Sequence, residues 1–161
     1  MEDHYNILDN TGFAGQGTTV YKPQINADGR RFPRFANLSE KWEQGAEYVA
    51  LFPNVLLGVH NDHYFNIILT PDGTGKTNEQ IEIYYADKAA AGEDYAAMRA
   101  INSEMWKTVF SEDIQVVEGM QKGRSASGYD GGKFSAVMDE STHHFHKWVA
   151  IELGSGQRTD Q

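Results

Sequence analysis

The chain of 161 residues contains no cysteine and only four prolines. Without cysteine it cannot form a disulfide, present a thiolate nucleophile, or hold a cysteine-ligated metal or iron–sulfur cluster by itself. Basic residues are also scarce, because 14 Lys and Arg against 23 Asp and Glu give a net charge of −9. This balance argues against nucleic acid as a partner, since phosphate binding requires basic patches.

A long hydrophobic run is missing as well. The longest mostly apolar stretch, VALFPNVLLGV at residues 49–59, is interrupted by proline and asparagine and is too short to span a bilayer. The N-terminal sequence MEDHYNILDN is acidic and polar, which is not typical of a signal peptide. We therefore expect one domain in the cytoplasm, without membrane association.

The order of patterns along the chain predicts an α+β protein. Residues 1–45 are rich in glycine, asparagine and charge, and they predict loops. The runs EYVALFPNVLLGVH, HYFNIIL and QIEIYYA predict antiparallel strands. Residues 88–123 are rich in helix formers and lack proline, and a last helix is predicted at residues 138–153. Strands followed by helices, rather than alternating with them, are typical of the α+β class.

The segment GTGKT at residues 73–77 resembles the end of a phosphate-binding P-loop, but it fails two requirements. The full pattern needs a glycine at position 70, which is Thr70. It also needs a helix immediately afterwards, whereas QIEIYYA follows and predicts a strand. The segment is therefore interpreted as a hairpin turn.

Asp113 is the acid with the most informative position. It lies on an apolar helical stripe, at a position where the pattern calls for an apolar residue. The other members of the stripe are Trp106, Val109, Phe110, Val116, Val117 and Met120. A lone buried carboxylate costs several kcal/mol, so it must be protonated, paired or bound to a metal. Alternatively, Ser111 caps a new helix and Asp113 lies in its exposed first turn, which is the commoner situation.

Histidines offer two further candidate sites. His143 and His146 are three residues apart, and Asp139 precedes His143 by four, so one helix face could present a metal site. An amphipathic helix that packs Phe145, Trp148, Val149 and Leu153 inward is the preferred alternative. His60 and His63 lie in the strand region, and their alternation predicts opposite faces, so at most one of them points inward. A satisfied or surface histidine is expected at each position, and the alternative is an inward histidine that hydrogen-bonds a substrate.

Several motifs together resemble a known family. The string SEDIQVVEGMQKGRSA with a preceding tryptophan, the glycine-rich loop, and the ending HFHKWVA are similar to the C-terminal catalytic domain of Rieske non-haem iron oxygenase α subunits. This family contains the aromatic-ring-hydroxylating dioxygenases and their choline- or carnitine-type monooxygenase relatives. The LFPNVLLGVHNDHYF run resembles the strand pair of the same domain. The similarity extends over residues 8–153.

The resemblance implies a helix-grip fold of the Bet v 1/START type, in which a curved antiparallel sheet wraps around a long C-terminal helix and encloses a substrate cavity. It also implies mononuclear Fe(II) held by two histidines and one carboxylate, with open positions for O₂. Asp113 matches the carboxylate ligand, so the resemblance favours the buried, metal-bound alternative for this residue. Tyr48, Ala50 and Leu57 on the strands, with Val109 and Phe110 on the helix, become candidates for the substrate pocket.

Parts of the family pattern are missing from this chain. The two histidine ligands, separated by four residues on an upstream helix, have no counterpart among its six histidines. The cysteines and histidines that hold the [2Fe–2S] cluster of the upstream Rieske domain are absent too. We therefore expect residues 1–153 to be part of a catalytic domain, incomplete at its N-terminus and inactive alone, with a polar tail at 154–161.

The functional expectation is the C-terminal part of a ring-hydroxylating oxygenase large subunit, which uses Fe(II) and O₂ to hydroxylate a small organic substrate. The resemblance implies electrons from the upstream Rieske domain, a ferredoxin or reductase that supplies them, and a homotrimer. Two alternatives are an iron-free helix-grip module that binds an apolar small molecule and an inactive truncated relative.

Overall fold

The computed structural model describes residues 3–9 and 12–156, which form an open six-stranded antiparallel sheet followed by two helices. Each strand pairs with its neighbours in sequence, so the order across the sheet is the order along the chain. The strands are β1 His4–Leu8, β2 Phe13–Thr18, β3 Ala46–Leu51, β4 Val55–Val59, β5 His63–Pro71 and β6 Thr77–Tyr85. The helices are α1 Ala96–Arg124 and α2 Glu140–Gly156, with short 3₁₀ helices at Glu40–Glu43, Lys88–Ala91 and Glu93–Tyr95. The predicted α+β class is confirmed.

The first two strands correct the prediction that residues 1–45 form loops. β2 has the sequence FAGQGT, and its two glycines do not predict a strand. They do allow neighbouring strands to approach β2 closely. A Cβ on Gly17 would lie 2.0 Å from the ring of Tyr5, and a Cβ on Gly15 would lie 2.3 Å from the carbonyl oxygen of Tyr48. The strand therefore depends on its neighbours, the Tyr5 ring and the backbone of β3, which fill the space beside its glycines.

The GTGKT segment forms the turn between β5 and β6, as predicted. The backbone N–H of Asp72 donates to the carbonyl of Lys76 at 2.8 Å, and the two side chains form an ion pair at 3.0 Å. Gly73 has a φ of 77°, in the left-handed region that glycine tolerates without strain. A strand and not a helix follows, so the segment is a hairpin turn.

Helix α1 packs across β4, β5 and β6 through a small aromatic cluster. The register pairs Phe65 with Ile83 and Ile67 with Ile81, which places these four side chains on one face of the sheet. Phe65, Ile67 and Trp106 are buried together, with Phe110 packed against them. Trp106 and Phe65 meet edge to face with ring centroids 4.7 Å apart, a favourable geometry for aromatic pairs. An open sheet that carries one long helix agrees with the helix-grip arrangement.

Helix α2 packs against the other end of the sheet, near β1 and β2. Ser141 donates to the carbonyl of Gly15 at 3.0 Å, and the ring of Phe52 lies 5.0 Å from Phe145 and 5.4 Å from Trp148. Leu153, which was predicted to pack inward, is 70% exposed because it lies beyond these contacts.

The predicted polar tail begins inside this helix. Residues 154–156 continue α2, and residues 157–161 lie outside the described residues. Neither helix in the described ranges combines the length and apolarity that a bilayer crossing requires.

Candidate functional site

The segment around Asp113 belongs to one uninterrupted helix. Ser111 does not cap a new helix, because its hydroxyl donates to the carbonyl of Lys107 at 2.6 Å, one turn earlier in α1. The capped-helix interpretation of Glu112 and Asp113 is therefore wrong. Helical geometry places Asp113 seven residues and two turns after the buried Trp106, on the same face of α1.

Asp113 is nevertheless exposed, and so is every residue from 111 to 124. The sheet covers α1 only as far as Phe110, and the following 14 residues extend about 21 Å beyond it. The expectation that this acid is withheld from solvent is therefore wrong for the described chain by itself. The physical reason is that the apolar stripe continues past the end of the sheet, and none of the described elements covers it.

The exposed part of the stripe is strongly apolar. Val116 is 59% exposed, Val117 62% and Met120 56%. Contiguous exposed apolar patches on soluble proteins mark contact sites for other protein segments or ligands. Asp113 lies within this patch, so a carboxylate is presented from an apolar helix face.

An open groove of about 610 Å³ runs between β6 and α1. Its walls combine apolar side chains with a few polar ones, as small-molecule sites commonly do. The apolar lining residues are Ile81, Ile83, Trp106, Phe110 and Ile114, and the polar ones are Glu79, Tyr85, Arg99, Ser103, Lys107 and Ser111. Since Phe110, Ser111 and Ile114 flank Asp113 in the helix, one end of the groove lies next to the carboxylate.

The predicted pocket residues do not all share this neighbourhood. Phe110 lines the groove and packs on Phe65 with ring centroids 5.1 Å apart. The register places Tyr48 and Ala50 on the same sheet face as Phe65. Leu57 pairs with Val49 and Asn66, and it therefore lies on the opposite face.

Val109, the remaining predicted pocket residue, lies on α1 and is 40% exposed. It precedes Asp113 by one helical turn, so the two residues share the exposed stripe. Val109 is therefore adjacent to the carboxylate and separate from the aromatic cluster.

The structure brings His60 and His63 together, which corrects the prediction of opposite faces. They are the ends of a two-residue hairpin turn, and the N–H of His60 donates to the carbonyl of His63 at 2.9 Å. Cross-strand partners face the same side of a sheet, and the two rings stack at 4.5 Å with a 12° angle between their planes. The signal that could have identified this arrangement is the pair Asn61-Asp62, two turn-forming residues between two strand patterns.

This turn is unusually buried and polar. His60, Asn61, Asp62 and His63 are each at most 3% exposed. Their hydrogen bonds join distant parts of the chain. Asn61 accepts from the N–H of Phe35 and donates through its side chain to the carbonyl of Trp42, and the carbonyl of Asp62 accepts from Ala86.

The side chains of the turn continue this network into α1. His63 Nδ1 lies 2.6 Å from Asp62 Oδ1, and the indole N–H of Trp106 donates to His63 Nε2 at 2.9 Å. The turn is thus connected directly to the helix that carries Asp113.

The histidines of α2 show no comparable arrangement. His143 and His146 flank the ring of Phe134, with centroids at 4.9 and 5.0 Å. Asp139 accepts a hydrogen bond from the backbone N–H of Ser135 at 2.7 Å, which joins it to the loop before α2. Among the residues that the structure describes, no group of three His, Asp or Glu side chains is placed to hold a metal ion.

Comparison with known proteins identifies the family. A family model described as the ring hydroxylating alpha subunit (catalytic domain) matches residues 3–155. The chain belongs to this family. The putrescine 2-hydroxylase of Ralstonia nicotianae is 28% identical over 141 residues, which cover 85% of this chain and 37% of that protein. The chloroplastic choline monooxygenase of Atriplex hortensis is 26% identical over 105 residues, or 65% of this chain and 23% of that protein.

Membership of the ring-hydroxylating α subunit family confirms the resemblance seen in the motifs. The named relatives are oxygenases, so the chain derives from an oxidoreductase family. It spans less than two fifths of the length of these curated relatives.

Proposed function

We propose that this chain forms the C-terminal part of the catalytic domain of a Rieske-type oxygenase large subunit. That enzyme would use mononuclear Fe(II) and O₂ to hydroxylate a small organic substrate. The observation that carries the proposal is the family match over residues 3–155, nearly the whole chain. The proposal includes electron supply from an upstream Rieske domain and its ferredoxin or reductase, assembly as a homotrimer, and a cytoplasmic location.

Asp113 is assigned the role of the carboxylate ligand. Its position supports this role, because a carboxylate on an apolar stripe is stabilised when a cation and a covering segment join it. The two remaining ligands would be histidines from outside this chain, because the described residues contain no set of three side chains placed to hold a metal ion. When bound, Fe(II) would supply O₂ activation.

The chain's own residues would shape the site around that ligand. Val109 and Phe110, one turn before Asp113, would form the helix wall of the substrate cavity. Tyr48 and Ala50 would form its floor, because they share the sheet face of Phe65. Leu57 is left out of this cavity because it lies on the opposite sheet face. These side chains would exclude water from the reacting centre and orient the substrate.

A second candidate function is supported by the groove itself. An iron-free module could bind an apolar small molecule along Ile81, Ile83 and Phe110, within a volume of about 610 Å³ that matches typical ligand pockets. In this case binding would not depend on Asp113. The two candidates therefore differ in whether binding depends on Asp113.

Iron titration tests the proposal. The chain would be extended at its N-terminus with the upstream helix that carries a His-x-x-x-x-His pair, and anaerobic Fe(II) binding would be measured by calorimetry. We expect one Fe(II) per chain, loss of binding in Asp113→Ala, and retention in Glu112→Ala, a matched control that removes the adjacent exposed acid. Failure of the extended chain to bind iron, or retention of iron by Asp113→Ala, would contradict the assignment. Ligand binding that is unaffected by Asp113→Ala and by iron removal would favour the second candidate.

A further inference from the structure

The buried chain Asp62–His63–Trp106 has an arrangement that the proposed oxygenase site does not use. The three side chains are 2%, 1% and 5% exposed, and they are linked in a line by contacts of 2.6 and 2.9 Å. Both contacts are short enough to be strong hydrogen bonds. They connect a carboxylate, an imidazole and an indole in that order.

The donor and acceptor roles in this chain are fully determined. An indole nitrogen can only donate, so His63 Nε2 must accept from Trp106. His63 is therefore neutral, carries its proton on Nδ1 and donates it to Asp62. The unprotonated Nε2 of His63 faces the indole N–H, and its Nδ1 faces the Asp62 carboxylate. A carboxylate in this position stabilises an imidazolium.

The neighbouring His60 provides an internal contrast. It is as deeply buried as His63 and stacks on the same ring, but its Nδ1 has no hydrogen-bond partner among the described residues. Burial, together with the adjacent His63, lowers the pKa of His60 to about 3. Of the two imidazoles that contact Trp106, only His63 accepts the indole N–H and is hydrogen-bonded to a carboxylate on its other nitrogen.

We propose that Trp106 is a redox-active residue that gives an electron to a strong one-electron oxidant while its indole proton moves to His63. The oxidant gains one electron, the Nε1–H bond of Trp106 breaks, and a new Nε2–H bond forms on His63. The products are a neutral indole radical and an imidazolium that Asp62 stabilises. Return of one electron to the radical, with return of the proton to Nε1, restores the starting state.

The position of Trp106 suggests what this chemistry is for. Trp106 lies two helical turns from Asp113, about 10 Å along the axis of α1, a separation across which electrons tunnel readily in proteins. Oxidising equivalents released by oxygen reduction near Asp113 would reach Trp106 and be quenched reversibly instead of damaging the helix. This protective role rests on the proposed oxygenase function, whereas the redox chemistry of Trp106 does not.

Flash photolysis tests the chemistry without iron. A photogenerated ruthenium(III) tris-bipyridine complex would oxidise a chain carrying Trp42→Phe and Trp148→Phe, so that Trp106 is the remaining indole of three. Transient absorption distinguishes the neutral radical from the protonated cation radical. We expect rapid formation of the neutral radical with a solvent deuterium isotope effect. In His63→Phe, formation of the neutral radical should slow by about tenfold or more, which corresponds to about 1.4 kcal/mol in the barrier.

His60→Phe is the matched control, because it removes an equally buried imidazole that also contacts Trp106. It should leave the rate unchanged. The proposal would be overturned if the neutral radical formed equally fast in His63→Phe and in the unchanged chain. It would also be overturned if formation were slow in both histidine variants. If His63→Phe does not fold, two other measurements decide. The proton transfer is refuted if Asp62→Asn forms the neutral radical as fast as the chain without this substitution, or if that chain shows no solvent isotope effect. A positive result together with failed iron titration would refute only the oxygenase assignment.

Discussion

The buried His60 makes the free energy of unfolding sensitive to mildly acidic pH. The ring is 1% exposed and is surrounded by Tyr21, Tyr48, His63 and Trp106. Its Nε2 is 3.3 Å from the Tyr48 hydroxyl. Burial lowers the pKa of His60 from 6.5 to about 3, so the folded protein keeps it neutral.

The sign of the effect follows from proton uptake. As pH falls below 6.5, the unfolded chain binds a proton at His60 that the folded chain does not bind until about pH 3. Stability is therefore fully present above pH 6.5 and is lost progressively toward pH 3. With pKa values of 6.5 and about 3, the loss between pH 7 and pH 5 amounts to about 2 kcal/mol. This is a large part of a typical stability margin.

Urea denaturation at pH 7 and pH 5 checks this prediction. His60→Phe keeps an aromatic ring but cannot take up a proton, so it should lose about 2 kcal/mol less than the unchanged chain over this interval. His146→Gln, which removes an exposed histidine, should behave like the unchanged chain. Equal losses in the unchanged chain and in His60→Phe would refute the reasoning.

Three further predictions concern other parts of the fold, each measured as the change in free energy of unfolding in urea. Gly58→Ala should destabilise by about 1–3 kcal/mol, because its Cβ would lie 2.1 Å from the buried ring of Phe65; no loss would show that the ring can move aside freely. Gly73→Ala should cost about 1 kcal/mol because of its φ of 77°, whereas Gly75→Ala in the same turn has open space and no positive φ and should cost less. Asp113→Asn should change stability by less than about 0.5 kcal/mol because the residue is exposed, and a larger loss would place Asp113 in a structural role.

Local patterns predicted the second half of the sheet and both helices well. β5 is rich in aromatic and β-branched residues, β6 alternates between apolar and polar residues around Ile81 and Ile83, and residues 88–123 contain strong helix formers, so local preference and final structure agree. β2 could not be predicted, because its formation depends on the Tyr5 ring and the β3 backbone filling the space that its glycines leave.

The candidate site was only partly predictable for a related reason. The position of Asp113 on the helix follows from spacing alone, but its exposure depends on where the sheet ends relative to α1. The link between Asp62, His63 and Trp106 joins residues 43 positions apart, and periodicity carries no information about such contacts. The two turn-forming residues Asn61 and Asp62, between two strand patterns, were the local signal that could have brought the histidines together, and it was not used in the prediction of opposite faces.

The turn at residues 60–63 has a consequence for how this protein can be altered. Hairpin loops usually tolerate added residues because they lie in solvent, and the β5–β6 turn around Gly73 is of this kind, with residues 72–76 all exposed. The β4–β5 turn is shorter, and it is enclosed by Phe35, Trp42 and Ala86, to which it is hydrogen-bonded through its own backbone and side chains. A peptide tag or a permuted terminus should therefore be accepted at the β5–β6 turn and rejected at the β4–β5 turn.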